Sequence, residues 1–453
     1  MNKWIVSIAT IVRAKALGMI GSPFRLTTLR LTALIVTVAV ATTIDGQVSA
    51  QGLVSPGLGA VNRSMGGAST AAPVDTIGSL HWNPATIVNV PNSFEIGYEV
   101  PLTNFHVSSS LLGASGEDRS DAGVLPLVSS ALVYAKEDSC WSVGLGIYTI
   151  GGLFTNFPAS TTNPILTPQP PLGAGVGSVF TKLALLQIAP TLAVQLTDRV
   201  SIGFSPTITT AELMVSPNTL APPNDANGDT FFTYSPGGNT HLHWGGGFQV
   251  GIYATTDSGW DYGLSFKSPQ WMETFEFNSV DELGLPLTQR VGLDYPMIVS
   301  GGVAYRGLER WLFAADLRFT DYENTKGFSR SGFGPTGAVE GLGWKSVVSL
   351  HLGGSYDWTE RTRTRIGYLY TENPIREELT AFNVGAAAFY QHSLCVGLEH
   401  DLSQTFSVAA SYCHLFDSHI EGPYQTPLGP VPGSRVALDL NADLFSFNLR
   451  VRY

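Results

Sequence analysis

The segment WLFAADLRFT, residues 311–320, sets one acid and one base among alternating apolar residues. Phe313, Ala315, Leu317 and Phe319 fall on one face of a strand, and Asp316 and Arg318 on the other. Residues 345–357 repeat the pattern: Val348, Leu350, Leu352 and Tyr356 alternate with Ser349, His351, Ser355 and Asp357. Antiparallel pairing of the two segments brings Arg318 near His351, both pointing inward at about mid-height. A cation and an imidazole in apolar surroundings suit the anionic head group of a ligand, because an isolated buried charge is costly. The same residues have a plainer use, in which Asp316 neutralises Arg318 and the pair simply lines a wall.

Other constellations carry less chemistry. Ser349 and His351 sit at i and i+2 on one strand without an orienting third residue or a nucleophile motif, so no enzyme is expected. Asp225, Asn227 and Asp229 have the spacing of a calcium loop but lack the later glutamate, so neither a metal nor another cofactor is expected. Cys140, Cys395 and Cys413 make no metal or redox spacing. Cys395 and Cys413 face inward on adjacent strands, either as a disulfide or as two thiols. Apolar clusters fall in connections: Leu153, Phe154, Phe157, Ile165 and Leu166 in one, Phe231, Phe232 and Tyr234 in another. Exposed clusters of this kind mark binding sites for hydrophobic molecules, or anchors at a membrane interface.

These residues need elements to hold them. Alternating segments occupy residues 94–111, 126–136, 140–150, 179–197, 200–214, 242–254, 260–270, 295–306, 311–322, 345–357, 362–371, 389–401, 405–416 and 439–453. Their connections alternate long and short, the shortest being Asp198-Arg199. An even strand count with one end uniformly short predicts an all-β, transmembrane antiparallel β-barrel of about 14 strands in a bacterial outer membrane. The final segment is the clearest: Phe445, Phe447, Leu449, Val451 and Tyr453 on one face, Ser446, Asn448, Arg450 and Arg452 on the other. Its terminal aromatic resembles the signature that such barrels present to their insertion machinery. Pro190 interrupts the fourth segment, which predicts a bulge or kink there.

Composition agrees with a barrel. The chain has 453 residues, 44% hydrophobic and only 13% charged. Residues 1–50 combine five basic residues, the apolar run Leu31 to Thr43 and Val48-Ser49-Ala50, which reads as a signal peptide cleaved before Gln51. The remainder carries 20 basic and 35 acidic residues, a balance that argues against nucleic acid as a partner. A barrel of about 14 strands is too wide to be filled by its own side chains. One stretch is uncommitted to the wall: Gly57 to Ala85, GLGAVNRSMGGASTAAPVDTIGSLHWNPA, with neither a strand period nor that of a stable helix. Gly66 and Gly67 permit tight turns, and Asn83-Pro84-Ala85 ends the stretch. The expected organisation is therefore a signal peptide at 1–50, an N-terminal hatch or plug at 51–92, and a barrel at 93–453.

GLGAVNRSMGGAS and HWNPA resemble the hatch of FadL/TodX-type outer-membrane transporters for long-chain fatty acids and other hydrophobic compounds. YPMIVSGGVAYR, RWLFAADLRFTDYEN and RTRTRIGYLYTENPI follow in the order of that family's later strands. The resemblance implies passive uptake of a hydrophobic small molecule, collected by apolar loops, held in the upper lumen and released sideways where the third strand is kinked. On this chain the kinked strand is about Cys140 to Gly152, where Gly144, Gly146 and Gly151 weaken the ladder; they equally serve to relieve crowding against the hatch. The ligand residues expected are then Arg318, His351, Phe154, Phe157, Phe231 and Phe232, with outer-membrane lipid around the barrel. Arg363, Arg365, Arg450 and Arg452 are expected near the periplasmic end, holding the hatch. A protein-binding shuttle or structural barrel is the alternative reading of the long loops.

Overall fold

The computed structural model describes residues 52–238, 241–386 and 388–453. The expected signal peptide lies outside the described residues. Fourteen strands form the wall: β1 Ser93–Leu111, β2 Leu127–Tyr134, β3 Trp141–Phe157, β4 Val179–Thr197, β5 Val200–Ser216, β6 His243–Thr255, β7 Trp260–Lys267, β8 Met297–Leu308, β9 Trp311–Asp321, β10 Val347–Asp357, β11 Thr362–Thr371, β12 His392–Asp401, β13 Phe406–Gly422 and β14 Arg435–Arg452. Each pairs antiparallel with its neighbour, and β1 pairs with β14 from Ser93↔Arg452 to Ser110↔Arg435, so the sheet closes without an edge. Two short strands, Ala114–Arg119 and Trp271–Met272, attach to β1 and β6.

Sequence alternation is the direct cause of this wall. Along β14, Phe445, Phe447 and Leu449 are exposed while Ser446, Asn448 and Arg450 are buried. The exposed row faces hydrocarbon and the buried row faces the lumen. No helix among the described residues is long and apolar enough to cross a membrane; the closed sheet leaves no strand edge to face lipid.

Three expectations are corrected. The third strand does not stop at residue 150: it bulges between Thr149 and Gly151, which inverts its side-chain parity, and continues to Phe157. Leu153 and Phe157, expected in an exposed connection, are consequently buried, and Ile165 and Leu166, expected there too, are buried on a 3-10 turn, Pro164–Leu166. At Pro190 the irregularity is a gap and not a bulge: β4 and β5 keep one register from Ile188↔Ile208 to Leu192↔Phe204 but are unpaired between those two pairs. The stretch expected to lack helical order holds two short helices, α1 Gly59–Ser64 and α2 Thr76–Trp82, followed by a 3-10 turn, Pro84–Asn89. All residues of both helices are buried, because the wall and not the helix period supplies their packing partners. Cys395 and Cys413 stand directly opposite on β12 and β13 and form a disulfide.

Candidate functional site: the hatch and the cavity above it

The segment 52–92 is tied to inward side chains from around the barrel, mostly through its main chain. Gly59 N donates to Glu99 Oε1 at 2.9 Å, and Ala60 N to Asn448 Oδ1 at 2.8 Å. These bonds satisfy free amides at the start of α1, where a carboxylate is also favoured by the helix dipole. Thr76 N, at the start of α2, donates to Glu95 Oε2, while Asp75 caps that helix by accepting from Gly78 N. Asn83 donates to both Thr70 O and Ile252 O, and its own Oδ1 accepts from Ala85 N. Ser201 Oγ donates to Ala85 O, and Gly203 faces Pro84 and Ala85, where a side chain has no room.

Arg318 and His351 belong to this system of ties. Register puts Ser349 opposite Arg318 and His351 opposite Asp316, two residues away from the pairing that facing side chains would need. They still converge, because both reach the turn at Gly66-Gly67. Arg318 donates to Pro56 O at 2.9 Å and to Gly67 O, pairs with Asp316 at 2.9 Å, and lies over the Trp82 ring, 3.3 Å from its centroid. His351 Nδ1 donates to Gly66 O at 2.7 Å, and its Nε2 meets Ser349 Oγ at 2.9 Å. Asp316 Oδ2 accepts from Ser69 N, Thr70 N and Thr70 Oγ1. Gly66 and Gly67 have φ of 64° and 85°, and the wall main chain at Leu352 and Tyr368 approaches Gly66 closely. Glycine is the residue that meets both demands.

Nearer the periplasm, Arg363, Arg365, Arg450 and Arg452 gather on Glu399 and Asp401. Arg450 also donates to Val74 O, one residue before the capping Asp75.

A cavity of about 240 Å³ lies above the hatch. Its floor is the hatch at Leu53–Gly57, and its far wall includes the disulfide. Its near wall reaches β1 and β3 where those strands lose their common neighbour: β2 pairs with β1 only from Ser93 to Glu99, and with β3 only from Val143 to Tyr148. Above those rungs, Pro101, Thr103, Thr149, Gly151 and Phe154 line the cavity. The β3 bulge is occupied from within, since Ser55 N donates to Ile150 O at 3.1 Å and Val54 forms a bridge with Gly151. Gly144 faces Leu80 of α2, and Gly146 lies under the Tyr148 ring.

A second cavity, about 140 Å³, lies beneath the loops and shares Leu153 with the first. Tyr234, Phe333 and Phe382 help line it. Among the residues lining the two cavities, Arg63 alone is charged, and Glu99 (2.6 Å) and Ser55 (2.8 Å) hold its guanidinium. Arg318 and His351 are not among the lining residues. Phe157 packs instead on Phe105, ring centroids 5.0 Å apart, and Phe231 and Phe232 are 45% and 60% exposed on their loop. Asp225, Asn227 and Asp229 bond one another and nearby amides of their turn, and Asn227 N also donates to Glu282 Oε2 at 3.3 Å. Sequence reasoning missed Arg63, Glu95, Glu99 and Asn448; the signal of the last three was a carboxylate or amide at inward positions of the first and last strands, and that of Arg63 was a single cation in an almost uncharged hatch.

The fold has solved relatives. The toluene transporter TodX of Pseudomonas putida superposes with a TM-score of 0.65 at 16% identity, covering 88% of this chain and 99% of that one. The toluene transporter TbuX of Ralstonia pickettii gives 0.66 at 17% identity with the same coverage. A FadL homologue of Pseudomonas aeruginosa gives 0.65 at 13%, again over 88% and 99%. No curated protein sequence matches the chain. The family model described as Outer membrane protein transport protein (OMPP1/FadL/TodX) matches residues 38–453. The chain belongs to that family of outer-membrane transport proteins.

Proposed function

We propose that this outer-membrane barrel, a passive carrier of hydrophobic small molecules, takes neutral hydrocarbons in preference to carboxylates. The observation that carries the reading is the lining of the two cavities. Arg63, the charged side chain there, is engaged by Glu99, and Arg318 is engaged by Asp316 and the hatch. A fatty-acid carboxylate entering either cavity finds no free cation, and its desolvation goes uncompensated. A neutral aromatic or aliphatic molecule meets apolar walls and loses nothing. The related barrels described as toluene transporters support the same class.

The route begins at Phe231 and Phe232 on the loop, passes Leu153 between the cavities, and leaves at β3 beside Phe154 and Gly151. Val54 and Ser55 of the hatch hold the β3 bulge, so a shift of that segment frees the exit. Gly144 and Gly146 allow Leu80 and Tyr148 to pack where a side chain on either glycine would block them. Arg318 and His351 act on transport through the hatch they hold.

The test is uptake in cells lacking their own transporter of hydrophobic compounds and expressing this chain. Toluene, a labelled long-chain fatty acid and a small sugar are compared. Faster toluene entry than in empty cells, with fatty acid slower and sugar excluded, is the expected result. Fatty acid entering as fast as toluene overturns the neutral-ligand reading.

A further inference from the structure

The wall breaks a rule of strand chemistry between β4 and β5. Pro190 and Pro206 fall opposite each other in the register that runs through Ile188↔Ile208 and Leu192↔Phe204. Neither has an N–H to donate, so the two rungs they would exchange are absent, and the ladder is interrupted at residues 189–191 and 205–207. The interruption spans four residue steps, roughly 14 Å of seam. Proline is normally confined to sheet edges or bulges, and in hydrocarbon each unsatisfied carbonyl is expensive. Two facing prolines inside a closed barrel therefore mark a place where wall stability has yielded to something else.

Side chains do the closing instead. Ser205 Oγ donates to Pro190 O at 2.9 Å, and Thr191 Oγ1 bonds Ser205 Oγ at 3.1 Å. Outside, the seam adjoins an apolar groove of about 420 Å³ formed by Leu192, Ile202, Phe204 and Val250 among others. Inside, the 3-10 turn Pro84–Asn89 packs on β4, β5 and β6. Pro190 stands seven residues from Thr197 at the short connection, roughly 18 Å along the barrel axis and within the apolar band.

We propose that the β4–β5 seam at Pro190 and Pro206 is a second lateral portal, through which neutral hydrophobic molecules pass between lumen and hydrocarbon when the 84–89 turn withdraws. The proposal rests on the reading that the barrel carries such molecules. It adds an opening deeper in the bilayer than the one at β3: the cavity meets β3 from Thr149 upward, level with Leu186 of β4, whereas Pro190 is level with Leu145. Parting the seam breaks hydroxyl bonds at Thr191 and Ser205, with no main-chain rung to break between Pro190 and Pro206.

The test uses the whole protein in bilayers containing a membrane-dissolved diazirine hydrocarbon. Photolysis is expected to label the inward residues Thr191 and Ile87 as well as the outward Leu192 and Phe204. The double variant Thr191→Cys/Ser205→Cys, whose residues oppose each other as Cys395 and Cys413 do, is expected to lose inward labelling when oxidised and regain it when reduced. Pro190→Val/Pro206→Val, which restores both rungs, is expected to lower inward labelling without any cross-link. Labelling confined to Leu192 and Phe204 in the wild-type barrel overturns the portal. The labelling does not depend on uptake, so a barrel that labels inwardly yet fails to carry toluene contradicts the transport reading and leaves the portal standing.

Discussion

The guanidinium carbon of Arg318 lies 3.3 Å from the ring centre of Trp82, with both side chains fully buried inside the barrel. One cation thus stacks on the last residue of α2, bonds the carbonyls of Pro56 and Gly67, and neutralises Asp316. Arg318→Ala removes all four interactions and leaves Asp316 as a buried charge without its guanidinium. Breaking one side of such a pair costs about 3–5 kcal/mol. The expected outcome is a loosened hatch in an intact barrel, measured as sugar permeation into liposomes. Arg318→Lys keeps the charge, loses the planar fork and is expected to leak less.

Leu153 lines both cavities, so its side chain faces any molecule passing between them. Leu153→Glu sets a carboxylate there with no partner supplied, at a cost of several kcal/mol in the charged form. Toluene uptake is expected to fall to the level of empty cells, while the barrel still inserts. Leu153→Ala widens the passage and is expected to preserve uptake with a modest loss of thermal stability.

At Gly151, a Cβ would lie 2.5 Å from Leu53 O of the hatch. Gly151→Val is therefore expected to displace the Val54 bridge and fill the mouth at β3. Slower toluene uptake with faster hydrogen exchange at Ser55 N is the outcome to look for. Uptake unchanged from wild type removes the β3 exit from the route.

Cys395 and Cys413 close a loop with a sequence separation of 18. Cross-links of that span restrict the unfolded chain by about 3 kcal/mol. The Cys395→Ala/Cys413→Ala barrel is expected to unfold at correspondingly lower denaturant, with sugar exclusion unchanged, because Cys413 Sγ lies 3.8 Å from Arg63 O of the hatch but, as a disulfide sulfur, has no hydrogen to donate to it.

His81 supplies a pH dependence. Burial first, then the positive charges of Lys267, Arg318 and Arg63, hold its imidazole well below the ordinary 6.5. A released hatch takes up a proton at His81 as pH falls through 6.5, and the docked hatch does not, so docking weakens toward acid. Asp75 acts in the opposite sense: burial, then Glu95, raises its carboxyl, so its contribution is lost as pH rises through the docked value. The difference in sugar leakage between wild type and His81→Gln isolates the first effect. That difference is expected to grow as pH falls past 6.5.

Strand number, closure and the facing of residues were legible because a period of two admits one solution when one side is lipid. The length of β3 was not, since the bulge at Ile150 inverts parity and makes Leu153 to Phe157 resemble a loop. The hatch was legible as a segment from its glycines, yet α1 and α2 were hidden: six- and seven-residue helices depend on Glu95, Glu99 and Asn448, far away in sequence. Arg318 and His351 were correctly placed inward. Their engagement with hatch carbonyls was unreadable, because main-chain acceptors leave no trace in residue type.

The bonds at the starts of α1 and α2 come from β1 and β14. Glu95 and Glu99 belong to the first strand, Asn448 to the last, and Asn448 Nδ2 in turn donates to Glu95 Oε1. Those two strands become neighbours only when the sheet closes. An open intermediate with β14 unpaired lacks half of this clamp, so the hatch gains its full set of bonds at the same moment as the cylinder seals. Closure and docking are thereby coupled: the clamp on the starts of α1 and α2 is complete only in a barrel whose last strand has met its first.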